Sequence, residues 1–201
     1  MYKRFGKRLL DMLLSALALV VLSPVMALVA LTVKLTSRGP VLFRQRRVGK
    51  DKRLFEIYKF RTMYANTPGD TPTHLLRGAR SHITRVGGFL RKSSLDELPQ
   101  LINILKGEMS IVGPRPALWN QDDLIRERDR YNANALTPGL TGLAQVSGRD
   151  ELPIAAKARL DGEYASRLSF AFDAWCVWRT ARKVFKADGV VEGAKDDRPI
   201  A

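Results

Sequence analysis

Hydrophobic and polar positions divide the chain unevenly. Residues 13–33, LLSALALVVLSPVMALVALTV, contain no charged side chain, and a run of about 20 apolar residues is what a bilayer-crossing helix requires. Beyond it the apolar positions fall into shorter, periodic runs. VLFRQRRVG and KRLFEIYKFRTM, rich in β-branched and aromatic residues and joined through Gly49-Lys50-Asp51, predict a β-hairpin. Leu98, Leu101, Ile102 and Leu105 recur at helical spacing and Lys106-Gly107 is a stop signal, which predicts an amphipathic helix over residues 96–106. Further helices are predicted near 122–131, 154–166 and 172–186. Residues 66–81, with Pro68, Gly69, Pro72 and Gly78, read as a loop that closes over a site, and the charged stretch 188–201 as a flexible tail. The fold class expected is a helix-rich mixed α+β protein with a membrane segment at 1–36 and a soluble domain at 37–187.

The apolar segment is unusual at its ends and at its centre. Both flanks are basic, with Lys3, Arg4, Lys7 and Arg8 before it and Lys34, Arg38, Arg44, Arg46 and Arg47 after. The positive-inside rule then places both ends in the cytoplasm. At the centre stand Ser23 and Pro24, where the proline lacks the N–H that would bond the carbonyl of Val20. The Ser23 hydroxyl is able to bond a freed carbonyl one turn earlier, in a setting where no water can. A re-entrant helix-break-helix satisfies both observations, each arm reaching roughly 15–18 Å, about half the hydrocarbon thickness. One kinked transmembrane span and a cleaved signal peptide are the alternatives, the latter fitting poorly with so long an apolar run.

Subtracting 20 acidic from 34 basic residues leaves a net charge of +14, which draws the chain toward anionic lipid, nucleic acid or diphosphates without choosing among them. Cys176 is the only cysteine, so there is no intrachain disulfide and no cysteine-rich metal site. The last helix mixes Phe172, Trp175, Trp178 and Phe185 with Arg179, Arg182 and Lys183. That mixture suits a membrane interface, and equally a packed core face backed by a solvated basic one.

The candidate chemistry centres on Asp96 and Glu97 in SSLDELPQL. Ser94 and Glu97 stand at capping-box spacing, so the plain reading is a helix start. The functional reading is that one carboxylate attacks phosphorus while the other holds a divalent metal, with magnesium the best match to hard oxygen ligands. Lys59, Arg61, Arg91 and Arg115 supply cations for phosphate, and Arg115 is held between Pro114 and Pro116. Phosphoryl transfer is largely positioning and charge neutralisation, which such a set provides. His74 and His82 lack metal-ligand spacing and read as surface loop residues.

KFRTM, RKSSLDELPQLINILKGEMSIVGPRP and TPGLTGLAQVSGR, in this order after a Ser-Pro break, resemble the bacterial sugar transferases, the monotopic polyprenyl-phosphate phosphoglycosyl transferases. The resemblance runs roughly over residues 7–186. It implies a helix-rich domain on a re-entrant helix broken at Ser23 and Pro24, at the cytoplasmic face of the bacterial inner membrane. It implies that Asp96 attacks the β-phosphate of a UDP-sugar and expels UMP, that polyprenyl phosphate then takes the sugar phosphate, and that Glu97 holds Mg2+, with Asp96 beside it. Lys59, Arg91 and Arg115 match positions near the phosphates. Leu143 and Ser147 depart from the tryptophan and asparagine common in the family, which places details of substrate contact in question. The length matches minimal members without an extra N-terminal membrane domain, which begin O-antigen, capsule or glycoprotein glycan assembly and hand on to further glycosyltransferases.

Two other classes compete. A membrane-anchored basic protein binding nucleic acid or anionic lipid fits the charge and RLFEIYKFR, but gives no role to the acid pair or to Pro-Arg-Pro. An inactive scaffold keeps the fold and makes no use of the acids. Nucleic acid is therefore not an expected partner; a UDP-sugar, polyprenyl phosphate and the bilayer are.

Overall fold

The computed structural model describes residues 2–67, 79–148 and 152–186. A π-helical turn, Tyr2–Gly6, leads into helix α1, Lys7–Thr36. The hairpin follows as β1, Leu42–Val48, and β2, Leu54–Phe60, antiparallel with Phe43 opposite Lys59 and Arg47 opposite Phe55. Then come α2, Ala79–His82; α3, Arg85–Lys92; a 3-10 turn, Leu95–Glu97; α4, Gln100–Lys106; and β3, Ser110–Val112. Helix α5, Asp122–Asp129, precedes β4, Gly139–Thr141, which pairs parallel with β3. Helices α6, Leu143–Ser147, α7, Ile154–Arg167, and α8, Phe170–Lys186, complete the fold. The expected tail and most of the expected 66–81 loop, His74 included, lie outside the described residues.

Helix α1 runs through Ser23 and Pro24 without interruption, so the two arms expected from the sequence are one helix with a proline inside it. The local chemistry explains the continuity. Pro24 leaves the Val20 carbonyl without its backbone donor, and the Ser23 hydroxyl donates to that same carbonyl at 2.8 Å.

One stripe of α1 is buried against the rest of the chain. Asp11, Ser15, Val29 and Val33 lie on it; Ala18 and Leu19 pack on Ile57, Leu101 and Ile104, while Val29 and Val33 pack with Phe60 and Leu90. The expected boundary at residue 36 is thus crossed by shared cores. Both ends of α1 are also tied to one body. Arg8 donates to the carbonyls of Ile104 and, at 2.8 Å, Leu105, closing the end of α4, while the last carbonyls of α1 and the linker after it are held from the end of β2. The opposite face leaves Leu13, Leu17, Val20, Val21, Leu28, Leu31 and Leu35 each more than half exposed. So long a leucine and valine row is far larger than a soluble monomer ordinarily presents to water.

A third cluster, Val112, Leu143, Val146, Tyr164, Phe172 and Cys176, fills the space between β3 and helices α6 to α8. Leu143 is therefore a core residue and Ser147 an exposed one.

Candidate active site

The acid pair does not sit in the first turn of the helix expected over 96–106. Pro99 has no N–H for the Leu95 carbonyl, and Glu97, Leu98, Leu101 and Ile102 instead bond back three residues, so the α-helix starts only at Gln100. Asp96 and Glu97 occupy the separate 3-10 turn before it. No capping box forms: Ser94 makes no capping bond and holds a left-handed backbone, φ 58°, while the Glu97 carboxylate is engaged elsewhere. The capping reading is replaced by an ion cluster.

Lys59, near the end of β2, donates to Oε1 of Glu97 at 2.7 Å, and Nη2 of Arg115 reaches the same oxygen at 3.1 Å. Two cations 38 and 18 positions from Glu97 along the chain are thereby joined by one carboxylate oxygen. Lys59 and Glu97 are largely buried and the Arg115 side chain is 41% exposed. Asp96 beside them is 7% exposed. Burial pushes the Asp96 carboxyl up to about 6, with the neighbouring Glu97 charge adding to it and Lys59, Arg91 and Arg115 opposing. For Glu97 burial also acts upward, but Lys59 and Arg115 outweigh it and hold the carboxyl well below its usual range. Burial draws the Lys59 ammonium downward and Glu97 opposes this, so the charge on Lys59 depends on its partner.

Arg115 owes its place to a close crossing of two segments. Gly113 N–H donates to Thr141 and Gly139 N–H to Pro114, each at 2.8 Å. A Cβ on Gly139 would stand 2.1 Å from the Gly113 nitrogen, and one on Gly142 2.0 Å from its oxygen. Only glycines allow these backbones to touch, which gives TPGLTG its role as a buttress for Pro-Arg-Pro.

The structure brings Lys59, Arg91, Asp96, Glu97 and Arg115 together and takes Arg61 elsewhere. Arg61 was expected among the phosphate cations. It is buried, and its guanidinium donates to the carbonyls of Arg38 and Ser37 and to the Ser37 hydroxyl, closing the C-terminal end of α1. His82, expected in a surface loop, instead ends α2 and is partly buried, its carbonyl accepting from Tyr64 N–H at 2.9 Å. Among the described residues no group of three or more His, Cys, Asp or Glu stands close enough to hold a metal ion. Two further arginines belong to the surroundings of the site: Arg47 donates to the Pro116 carbonyl and Arg128 to that of Arg115. Arg47 entered the sequence reading only as flanking charge and Arg128 not at all, since contacts between distant elements leave no periodicity or motif.

The family model for the bacterial sugar transferases matches residues 2–187. An undecaprenyl-phosphate glucose phosphotransferase of Komagataeibacter xylinus is 40% identical over an alignment of 189 positions that covers 89% of this chain and 34% of that protein. An undecaprenyl-phosphate galactose phosphotransferase of Salmonella typhimurium is 38% identical over an alignment of 203 positions that covers 92% of this chain and 42% of that protein. The exopolysaccharide production protein ExoY of Sinorhizobium fredii is 38% identical over 202 residues and is covered to 87%. The chain thus spans less than half the length of the first two relatives and most of the third. With the match extending over nearly every element described above, the chain belongs to the bacterial sugar transferase family of enzymes.

Proposed function

We propose that this protein transfers a sugar 1-phosphate from a UDP-sugar to undecaprenyl phosphate, releasing UMP, through a phosphosugar carried on Asp96. The observation that carries this reading is the enclosure of Asp96 and Glu97 by Lys59 and Arg115, with Glu97 receiving both cations on one oxygen. A carboxylate that titrates near 6 is mostly ionised at neutral pH and is more basic than an ordinary one, as suits a nucleophile. An Asp96 oxygen forms a bond to the β-phosphorus while the bond from that phosphorus to the bridging oxygen breaks and UMP leaves. An oxygen of the lipid phosphate then attacks the same phosphorus and frees Asp96. Lys59 and Arg115 neutralise the diphosphate charge, and Arg91 adds positive potential at Asp96. The names of the relatives support the reaction class, and since they divide between glucose and galactose the sugar is left open.

Magnesium fits the donor set. It is commonly held by one or two carboxylates together with substrate phosphates, and the adjacent acids meet that requirement without a third. Glu97 would hold it through Oε2, since Oε1 faces the two cations, with Asp96 alongside. When bound, the ion supplies further charge neutralisation to the diphosphate.

The membrane seat follows from α1. A straight bilayer crossing separates the ends of a helix onto opposite faces, whereas Arg8 and Val33 both contact one domain. A helix entering and leaving by the cytoplasmic face, bent near Pro24, keeps both ends there and gives the leucine and valine face a lipid environment. Helix α8 lies alongside as an interfacial element: Trp175 and Trp178 are substantially exposed, with Arg179 and Arg182 over their rings at 5.6 and 5.0 Å. Phe172 turns inward to the core. The product would enter assembly of a surface or exopolysaccharide.

The test is incubation of the purified full chain with undecaprenyl phosphate, Mg2+ and a panel of UDP-hexoses. Release of UMP together with a lipid-linked sugar diphosphate is expected; a chain that folds, binds UDP and yields neither contradicts the proposal.

A further inference from the structure

We propose that Arg128, held by Asp161, is a positioning residue that fixes the backbone beneath Arg115 and so aims its guanidinium at the diphosphate. This rests on the reading of Arg115 as a phosphate ligand.

Four consecutive carbonyls of this segment are occupied. Pro114 accepts from Gly139 N–H at 2.8 Å and Ala117 from Val48 N–H at 2.9 Å. Between them, Arg115 accepts from Nη2 of Arg128 at 2.9 Å, and Pro116 from Nη1 of Arg47 at 3.1 Å. Pro114 and Pro116 fix their own φ angles and carry no N–H, so no regular strand or helix ladder can order this stretch. The carbonyl contacts set the remaining freedom. Two guanidiniums take the place of a backbone partner beneath the Arg115 side chain, which is 41% exposed and reaches Glu97.

Arg128 is itself placed by a buried contact. Its Nε donates to Oδ2 of Asp161 at 2.8 Å and Nη2 lies 2.7 Å from the same oxygen, with the Asp161 side chain 1% exposed. Gly162, next along α7, lets Tyr131 close in where a Cβ would stand 2.4 Å from the tyrosine Cβ, so α5 and α7 meet tightly here. Desolvating an ion pair is a poor way to join two helices, because apolar side chains of similar volume usually do as well or better. What apolar packing cannot supply is a donor for the Arg115 carbonyl.

The experiment uses the full chain in lipid nanodiscs with UDP as probe. Arg128→Met combined with Asp161→Leu removes both charges while roughly preserving volume. It should weaken UDP binding, measured by calorimetry, about tenfold, the loss expected when one charge-assisted bond is misplaced. In an Arg115→Ala background the same pair of changes should alter UDP affinity by less than twofold, since the group being positioned is gone. Equal losses in both backgrounds, or no loss where Arg115 is intact, would overturn the proposal. If the double variant does not fold, Arg128→Lys serves, because it leaves the buried Asp161 charge paired; a loss of affinity confined to protein that retains Arg115 is again required. UMP release from a panel of UDP-hexoses, with Mg2+ and undecaprenyl phosphate added to the same protein samples, separates the two readings: the expected UDP-binding pattern in protein that releases no UMP supports the positioning role and contradicts the transfer reaction. Wild-type protein that binds no UDP overturns both.

Discussion

The ammonium of Lys59 stands 2.7 Å from Oε1 of Glu97, joining the end of the hairpin to the turn that carries the acid pair. Each group holds the other in its charged form, and the pair is largely withdrawn from water. Changing Glu97 to glutamine leaves Lys59 buried beside Arg115 without its counter-charge. Removing one partner of a well-buried pair costs roughly 3 kcal/mol, less any relief gained when the lysine gives up its proton. The expected result is a lower denaturation midpoint together with a loss of UMP release of at least about a hundredfold. Unchanged stability would mean that the pair is solvated in the membrane-bound protein.

Asp96 gives a prediction with opposite signs for activity and stability. Its carboxyl is raised by burial from an ordinary 3.8 to about 6. Formation of the covalent species should rise as pH increases through about 6 and level off above it. For stability, the protonated folded form is favoured, so this contribution is fully present below pH 3.8 and is lost as pH rises through about 6. Asp96→Asn should therefore be inactive yet more stable than wild type at pH 8, by about 3 kcal/mol, with the difference closing below pH 4. Chemical denaturation at the two pH values measures it, and an asparagine variant less stable at pH 8 would contradict the burial argument.

Much of this site was legible in the sequence, and the failures have identifiable causes. The hairpin was readable because its β-branched and aromatic residues are bounded by a turn, and Lys59 and Arg115 were readable as cations in constrained places. Helix α4 was placed four residues early because the spacing of Leu98 and Leu101 outweighed the missing N–H of Pro99. Arg61 looked like a phosphate ligand because it sits two residues from Lys59, but those two positions end differently. Lys59 reaches the acid pair, while Arg61 lies beyond the last residue of β2 and is turned to the carbonyls closing α1. At Ser23 and Pro24 the helix is continuous where an interruption was expected, because the serine hydroxyl bonds the carbonyl that the proline leaves free, and a proline there still permits the bend that a re-entrant path needs.

The path of α1 is testable by labelling. Single cysteines replacing Tyr2 and Arg38 should both react with a membrane-impermeant maleimide from the cytoplasmic side in inverted vesicles. Cys176 does not interfere, since it is fully buried and burial pushes its thiol up to about 11. Reaction of the two sites from opposite faces would establish a through-going span.

The exposed tryptophan face of helix α8 should contribute to membrane affinity while adding little to folding, which α8 serves through Phe172 and Cys176 on its other face. Replacing the exposed Trp175 and Trp178 by serine is expected to weaken binding to anionic phospholipid vesicles severalfold while moving the melting temperature by only a few degrees. Unaltered vesicle binding would leave α1 as the sole membrane contact.

In the proposed reaction Asp96 carries the sugar phosphate. Intact-protein mass spectrometry after exposure to a UDP-hexose and Mg2+, with no lipid acceptor present, tests it most directly. Up to one equivalent of released UMP is expected, with a hexose-phosphate adduct that maps to Asp96 and is absent from the Asp96→Asn variant. An adduct on Glu97 or any other residue, or UMP released only once undecaprenyl phosphate is added, would contradict it.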